Sequence, residues 1–478
     1  MSRTKLKEHK QQGKQFVPPL AQMQATLASW RHDRLPEMLW AAVLIGNLAR
    51  DQALNTFRLV ASAIFNLRDK GPSGDVQMSG IAKMPAGERE VVLAAILADD
   101  ISREYLSSLL LFESLPAREL WEPALGRKPS THSVKYLMNG VARTLWHQSQ
   151  EATDCRWLRL ISIVAAGKVH LPKSMADVGK EILNYPNEGD MCKVRPTIRA
   201  MEGAFQSLED ASKNENWSNR FWSECLVKSP CFSLLNESVA TAPTGGTTIQ
   251  RVSAVYKNLI NHAIMTRSGS AIDAQHDTVF GLAFYSLSIL DELLRVGNST
   301  AILGRFGLRS LLDVHVTLAY LIHRNNPALW RSHRVFGAGQ AKLSSLKLEE
   351  LKSEKCFADA ATLTAIANED MWEEYLSINI GHWEDSNLRR EAIESGVKAE
   401  YDKFYAWTSS FIHGHWGSVR ESVFDTCGNP LHRLHRIPRE ECKRLPDVVP
   451  DACELVDKTL DLVSKLYPAF LHRVGIQN

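Results

Sequence analysis

The stretch NSTAILGRFGLRSLLDVHVTLAYLIHR, residues 298–324, decides the fold class. Leu308, Leu312, His315, Ala319 and Ile322 recur at three- and four-residue spacing, which lines them along one side of an α-helix. Arg305, Arg309, Asp313 and Tyr320 form a polar file on the same segment. A second stretch, AEYDKFYAWTSSFIHGHWGSVRES at residues 399–422, repeats the device and stacks Tyr405, Ser409, His413 and Trp416. Polar files on otherwise apolar helices point to a site as well as to a core.

Beyond these two stretches, helical periodicity runs through most of the chain. LPEMLWAAVLIGNLARDQ starts at residue 35 behind Asp33, a residue type suited to an N-cap, with Pro36 in the first turn where its missing N–H costs nothing. Similar runs occupy 88–97, 102–112, 132–146, 155–164 and 198–208, punctuated by Gly71-Pro72, Lys128-Pro129, Leu171-Pro172 and Tyr185-Pro186. They resume at 252–265, 278–296, 359–375, 387–419 with a break at Gly396, and 452–470. There is no strand series and no fixed repeat period. The fold class is therefore all-α, in two helical domains: 1–228 with a basic flexible tail over residues 1–19, a linker at 229–250, and 251–478. A TGG in the linker has no Gly-Lys-Ser/Thr behind it, which excludes a phosphate loop.

Composition excludes several classes. The 478 residues are 44% apolar and 23% charged with a net charge of +2, so nothing draws the whole chain to a polyanion. The uncharged run at 278–290 falls short of the roughly 20 residues that span a bilayer, and no membrane partner is expected. Eight cysteines without a C-x-x-C pair fit reduced thiols in a cytoplasm. Cys427, His432, His435 and Cys442 read C-x4-H-x2-H-x6-C, which matches no common zinc finger; a loop with incidental ligands is the favoured reading, and neither metal nor cofactor is expected. The same loop carries Arg433, Arg436, Arg439, Lys443 and Arg444, an RNA-binding patch or a solvated basic turn.

Individual residues divide the readings further. His315 lies in the middle of the apolar stripe and reads as a hydrogen-bonded core histidine before a catalytic one. Arg309 and Asp313 are either a solvated i,i+4 pair or a guanidinium held toward a cleft, where its fork of donors suits a phosphate. Ser409, four residues before His413, is placed to hold a ring nitrogen and set the tautomer; packing between helices explains the same aromatic-rich face.

Residues 252–470 resemble a group of uncharacterised bacterial helical proteins with an Arg-bearing helix like LRSLLDVHVTLAYLI and a helix like the Y-x3-S-x3-H-G of Tyr405 to Gly414. More remotely they look like the HEPN superfamily of small helical bundles, many of them metal-independent ribonucleases of toxin, CRISPR and phage-defence systems. RSLLDVH, Arg309 to His315, matches that superfamily's Arg, polar residue and His spacing, with Ser310 where Asn, Asp or His is usual. The resemblance implies RNA cleavage by ribose 2′-hydroxyl attack: a histidine moves the proton and Arg309 neutralises the phosphorane. Arg309 with His413 is the expected catalytic pair, His315 the motif alternative, and Asp313, Tyr405, Ser409 and Trp416 the supporting groups. A homodimer with its site at the interface would fit the superfamily. The competing expectation is a non-catalytic scaffold or sensor that binds a nucleotide, RNA or a partner protein. Residues 1–228 carry no such resemblance.

Overall fold

A computed structural model describes residues 6–12, 15–17, 29–169, 175–208, 217–232, 245–269, 271–351, 358–384, 386–440 and 442–475. The chain divides into two compact units, one of Met1–Leu234 with Thr426–Ile437, the other of Leu235–Asp425 with Pro438–Asn478. The division expected from composition missed the return of a short late segment to the first unit. Much of the expected linker, residues 233–244, lies outside the described residues, as do Pro18-Pro19 and Pro172.

Both units are helical, as expected from the periodicity. Among the described residues strand is confined to two small ribbons, β1 (Lys10–Gln12) with β2 (Gln15–Val17) and β3 (Phe424–Thr426) with β4 (Arg436–Pro438). The basic tail thus contains a short antiparallel pair where only solvated chain was expected. No helix of the described residues is long and apolar enough to cross a membrane.

In the first unit the principal helices are α1 (Leu39–Asn47), α2 (Arg50–Asn66), α3 (Ala86–Ile96), α4 (Ser133–Thr144), α5 (Gln150–Ala165), α6 (Met191–Leu208) and α7 (Trp217–Lys228). Residues 39–46 of α1 are apolar all round and all buried, which makes α1 a central helix. It crosses α4 at a pair of glycines: a Cβ on Gly46 would stand 2.4 Å from Gly140 Cα, so no side chain fits between the backbones. The entry to the helical region starts earlier than Asp33. Ser29 Oγ accepts from the His32 amide and Asp33 Oδ2 accepts from the Ser29 amide, a reciprocal arrangement like a capping box. α5 packs on α2 and α6, and its residues 152–162 are all buried, so its polar side chains need partners inside. Arg50 holds Asp154 through two hydrogen bonds of 2.8 and 2.9 Å, while Arg34, Arg156 and Arg159 converge on Glu202. The sequence reading left α7 out, although Trp217, Phe221 and Cys225 bury one face of it.

The second unit is built around α10. Its principal helices are α8 (Gly245–Thr266), α9 (Ala274–Val296), α10 (Ile302–Arg324), α11 (Pro327–Leu351), α12 (Leu388–Glu394), α13 (Lys398–Ile412), α14 (Trp416–Val423) and α15 (Val449–Leu466), with a short helix at Ala360–Ala367 between α11 and α12. α9, α12, α13 and α15 all pack against α10, and Leu308, Leu312, His315 and Ala319 of the expected stripe are buried there. The 387–419 run is broken at Gly396, as expected, and again at Gly414; both glycines take left-handed φ of 80° and 59°. Gly414 and Gly417 both offer the helix an end, and the structure stops it at the first. This break places Trp416 on a different helix from Tyr405 and Ser409.

Candidate functional site

The α10–α13 seam brings together three of the expected residues. The Arg309 guanidinium lies 4.3 Å from the Tyr405 ring centroid and is ion-paired with Asp313 one turn further along its own helix. Burial lowers its pKa from the ordinary arginine value, and neighbouring Tyr405 opposes that shift. Tyr401 stacks on Tyr405 at 4.4 Å, and burial pushes the Tyr401 hydroxyl up to about 12. One turn earlier, Arg305 is buried, donates to the carbonyls of Ser299, Ala301 and Pro446, and faces Phe411. Its role is to cap and fasten backbone.

These pairings set the register. Arg305 meets Phe411 whereas Arg309 meets Tyr405, so α10 and α13 run antiparallel. His413 follows Tyr405 by eight residues, about 12 Å along a helix axis. Within one chain, the guanidinium of Arg309 and the imidazole of His413 therefore occupy different levels of the seam. The formal motif residues do not converge either. His315 turns toward α15, where its Nδ1 lies 3.4 Å from Thr459 Oγ1; it is 2% exposed, and burial pushes its pKa down to about 4. Ser310 donates to the carbonyl of Phe306 in its own helix.

A second constellation forms where α13 ends. His413 occupies the C-cap position, Gly414 reverses the chain, and His415 is the N-cap of α14. The turn is tied from inside: the His415 amide donates to the Ser410 carbonyl at 2.9 Å, and Ser418 Oγ donates to the same carbonyl at 2.7 Å. Both imidazoles are exposed and stacked, with centroids 5.7 Å apart and planes inclined by 27°. Ser409 reaches His413 through backbone, its carbonyl accepting the His413 amide at 3.1 Å. Trp407 and Trp416, 52% and 61% exposed, belong to the same corner, since Trp407 lies over the backbone of Gly417 with its Cζ3 3.3 Å from where a Cβ would be. No side chain caps α14. The sequence signal for this pairing is H-G-H, a glycine between two histidines; on one continuous helix His415 would point away from the stripe of Tyr405, Ser409 and His413.

The expected RNA-binding arginines are engaged within the protein. Arg433 lies 5.4 Å from the Trp222 ring centroid and donates to His32 Nδ1 at 2.8 Å, and Arg436 donates to Thr426 Oγ1. Arg439 pairs with Asp425 and Lys443 with Glu421. Two of the loop's five positive charges are thus paired with carboxylates.

The Cys/His spacing in that loop has a different outcome. Cys427, His432 and His435 are gathered in the first unit, but the fourth member of the group is Cys231; the four potential ligand atoms lie within 4.8 Å of one another. Cys442 is exposed and stands outside this group. No local spacing reveals Cys231, which is 201 residues before His432. No known family model, curated protein or solved structure matches the chain.

Proposed function

We propose that the second unit is a non-catalytic RNA-binding module and that single-stranded RNA lies on the α13–α14 corner. The observation that carries this reading is the stacked His413–His415 pair beside exposed Trp407 and Trp416. Bases stack on such rings regardless of sequence, each contributing about 1–3 kcal/mol. The phosphate between them meets imidazole N–H groups, the exposed Arg420 and the start of α14, a helix end that favours negative charge. The seam supports the non-catalytic reading. Cleavage by the expected pair needs a guanidinium and an imidazole on one phosphate, whereas Arg309 is held by Asp313 and Tyr405 two turns from His413.

Fluorescence anisotropy with an end-labelled oligouridylate in a chelating buffer, followed by a denaturing gel of the same samples, tests this. Wild type is expected to bind and leave the RNA full length, while Trp416→Ala and His413→Ala each weaken binding about fivefold or more. Equal affinity in all three proteins, or no binding by wild type, overturns the proposal. Cleavage abolished by both Arg309→Ala and His413→Ala would replace it with the ribonuclease reading.

A further inference from the structure

We infer that the first unit carries a structural zinc site made by Cys231, Cys427, His432 and His435. Two thiols and two imidazoles are the donor set of closed tetrahedral zinc centres. With Zn–S near 2.3 Å and Zn–N near 2.0–2.1 Å, the edges of such a tetrahedron are about 3.3–3.8 Å. Cys231 Sγ lies 3.6 Å from His432 Nδ1 and 3.4 Å from His435 Nε2, and Cys427 Sγ lies 3.4 Å from His432 Nδ1. These three edges are those a zinc ion would impose.

The surroundings orient the donors. His432 Nε2 lies 3.1 Å from the Ser229 carbonyl oxygen, so its proton is used there and the Nδ1 lone pair faces the two sulfurs. Asn429 closes the outer layer, donating to Ser229 Oγ at 2.9 Å and to the Pro230 carbonyl at 2.8 Å. Backbone bonds fix the loop as well: the Cys427 amide donates to the His435 carbonyl and the Gly428 amide to the Phe232 carbonyl. Between the two histidines, Arg433 and Leu434 both adopt positive φ, 52° and 57°, a conformation side chains resist and which turns both imidazoles toward the thiols. Cys427 and His432 are buried while Cys231 is exposed, so an ion has a route in. All four positions are filled by protein, which leaves none for a substrate and makes the role structural: the metal fastens Thr426–Ile437 to the chain just beyond α7.

Metal analysis and cobalt substitution of the full chain decide the matter. Purified protein is expected to hold close to one zinc per chain, and after chelation to bind one cobalt(II) with the intense visible d–d bands of tetrahedral coordination and thiolate charge transfer in the near ultraviolet. Cys231→Ser and His435→Gln lose the tetrahedral spectrum, whereas Cys442→Ser retains it. Cys231 is exposed, so its replacement leaves the fold intact, and its alkylation by iodoacetamide should be slowed by zinc in wild type. A wild-type chain that gives no tetrahedral cobalt spectrum holds only a thiol–imidazole hydrogen-bonded cluster, and the proposal is wrong. An equal loss in Cys442→Ser overturns the ligand assignment.

Discussion

His315 shows how far one residue's neighbours constrain its chemistry. It is enclosed between α10 and α15 and its pKa is pushed down to about 4 by burial, against roughly 6.5 in an unfolded chain. Between those values only the unfolded chain takes up the proton, so the stability tied to neutral His315 is complete above pH 6.5 and is lost as pH falls toward 4. Urea unfolding at pH 7 and pH 5 should show wild type losing about 2 kcal/mol more than His315→Leu, which has no proton to take up; equal losses would mean the imidazole is not desolvated. Glu202 is the reverse case, a single carboxylate facing Arg34, Arg156 and Arg159 in the core of the first unit. Burial and the nearby Arg34 lower the Arg156 pKa to about 9, against the opposing pull of Glu202. Glu202→Gln leaves those cations unbalanced and should cost about 3–5 kcal/mol in a denaturant melt. The core position of His315 was legible from its place in an apolar stripe. The Glu202 hub was not, because its arginines come from two places in the chain, residue 34 and α5, both far from residue 202.

Elements were more legible than their ends. A buried face repeats every three or four residues whatever it packs against, so α9, α10 and α15 could be read directly. Where the chain stops being helical depends on one residue's φ, and Gly414 looks no different in sequence from Gly337, which stays helical inside α11. This is why Tyr405, Ser409, His413 and Trp416 read as one stripe when the structure divides them between two helices. Glycines at helix crossings have the same ambiguity and a measurable consequence. Gly46→Ala drives a methyl into the backbone of α4 at the Gly46–Gly140 crossing and should destabilise the first unit by about 1–3 kcal/mol. Gly87→Ala, in the open first turn of α3, meets nothing within 4 Å and should be neutral or stabilising by up to about 1 kcal/mol. Equal effects of the two substitutions in thermal melts would mean that α1 and α4 do not cross at those glycines.

At the scale of the whole molecule, the chain's two units are not two consecutive halves. Residues 426–437 complete the first unit: Leu431 belongs to its hydrophobic core at 2% exposure, and Asn429, fully buried, bonds to Ser229 and Pro230. Composition marks a boundary only where chain character changes, and this dozen residues, rich in His and Arg, carries no local sign of belonging to an earlier part of the chain. Cys231 escaped notice for the same reason, since its partners come about two hundred residues later. A fragment ending at residue 232 therefore lacks Leu431 and Leu434 from its core and Asn429 from its hydrogen bonds. Burying Leu431 alone is worth about 1.5–3 kcal/mol, and two buried hydrogen bonds from Asn429 add to it. Comparing fragment and full chain in chelator removes any metal contribution, and hydrogen exchange of the α1 amides reports the first unit alone. Exchange in the fragment should be at least tenfold faster than in the full chain, an opening easier by about 1.4 kcal/mol or more. Identical protection would mean that the first unit closes its core without the segment, and that residues 426–437 merely rest upon it.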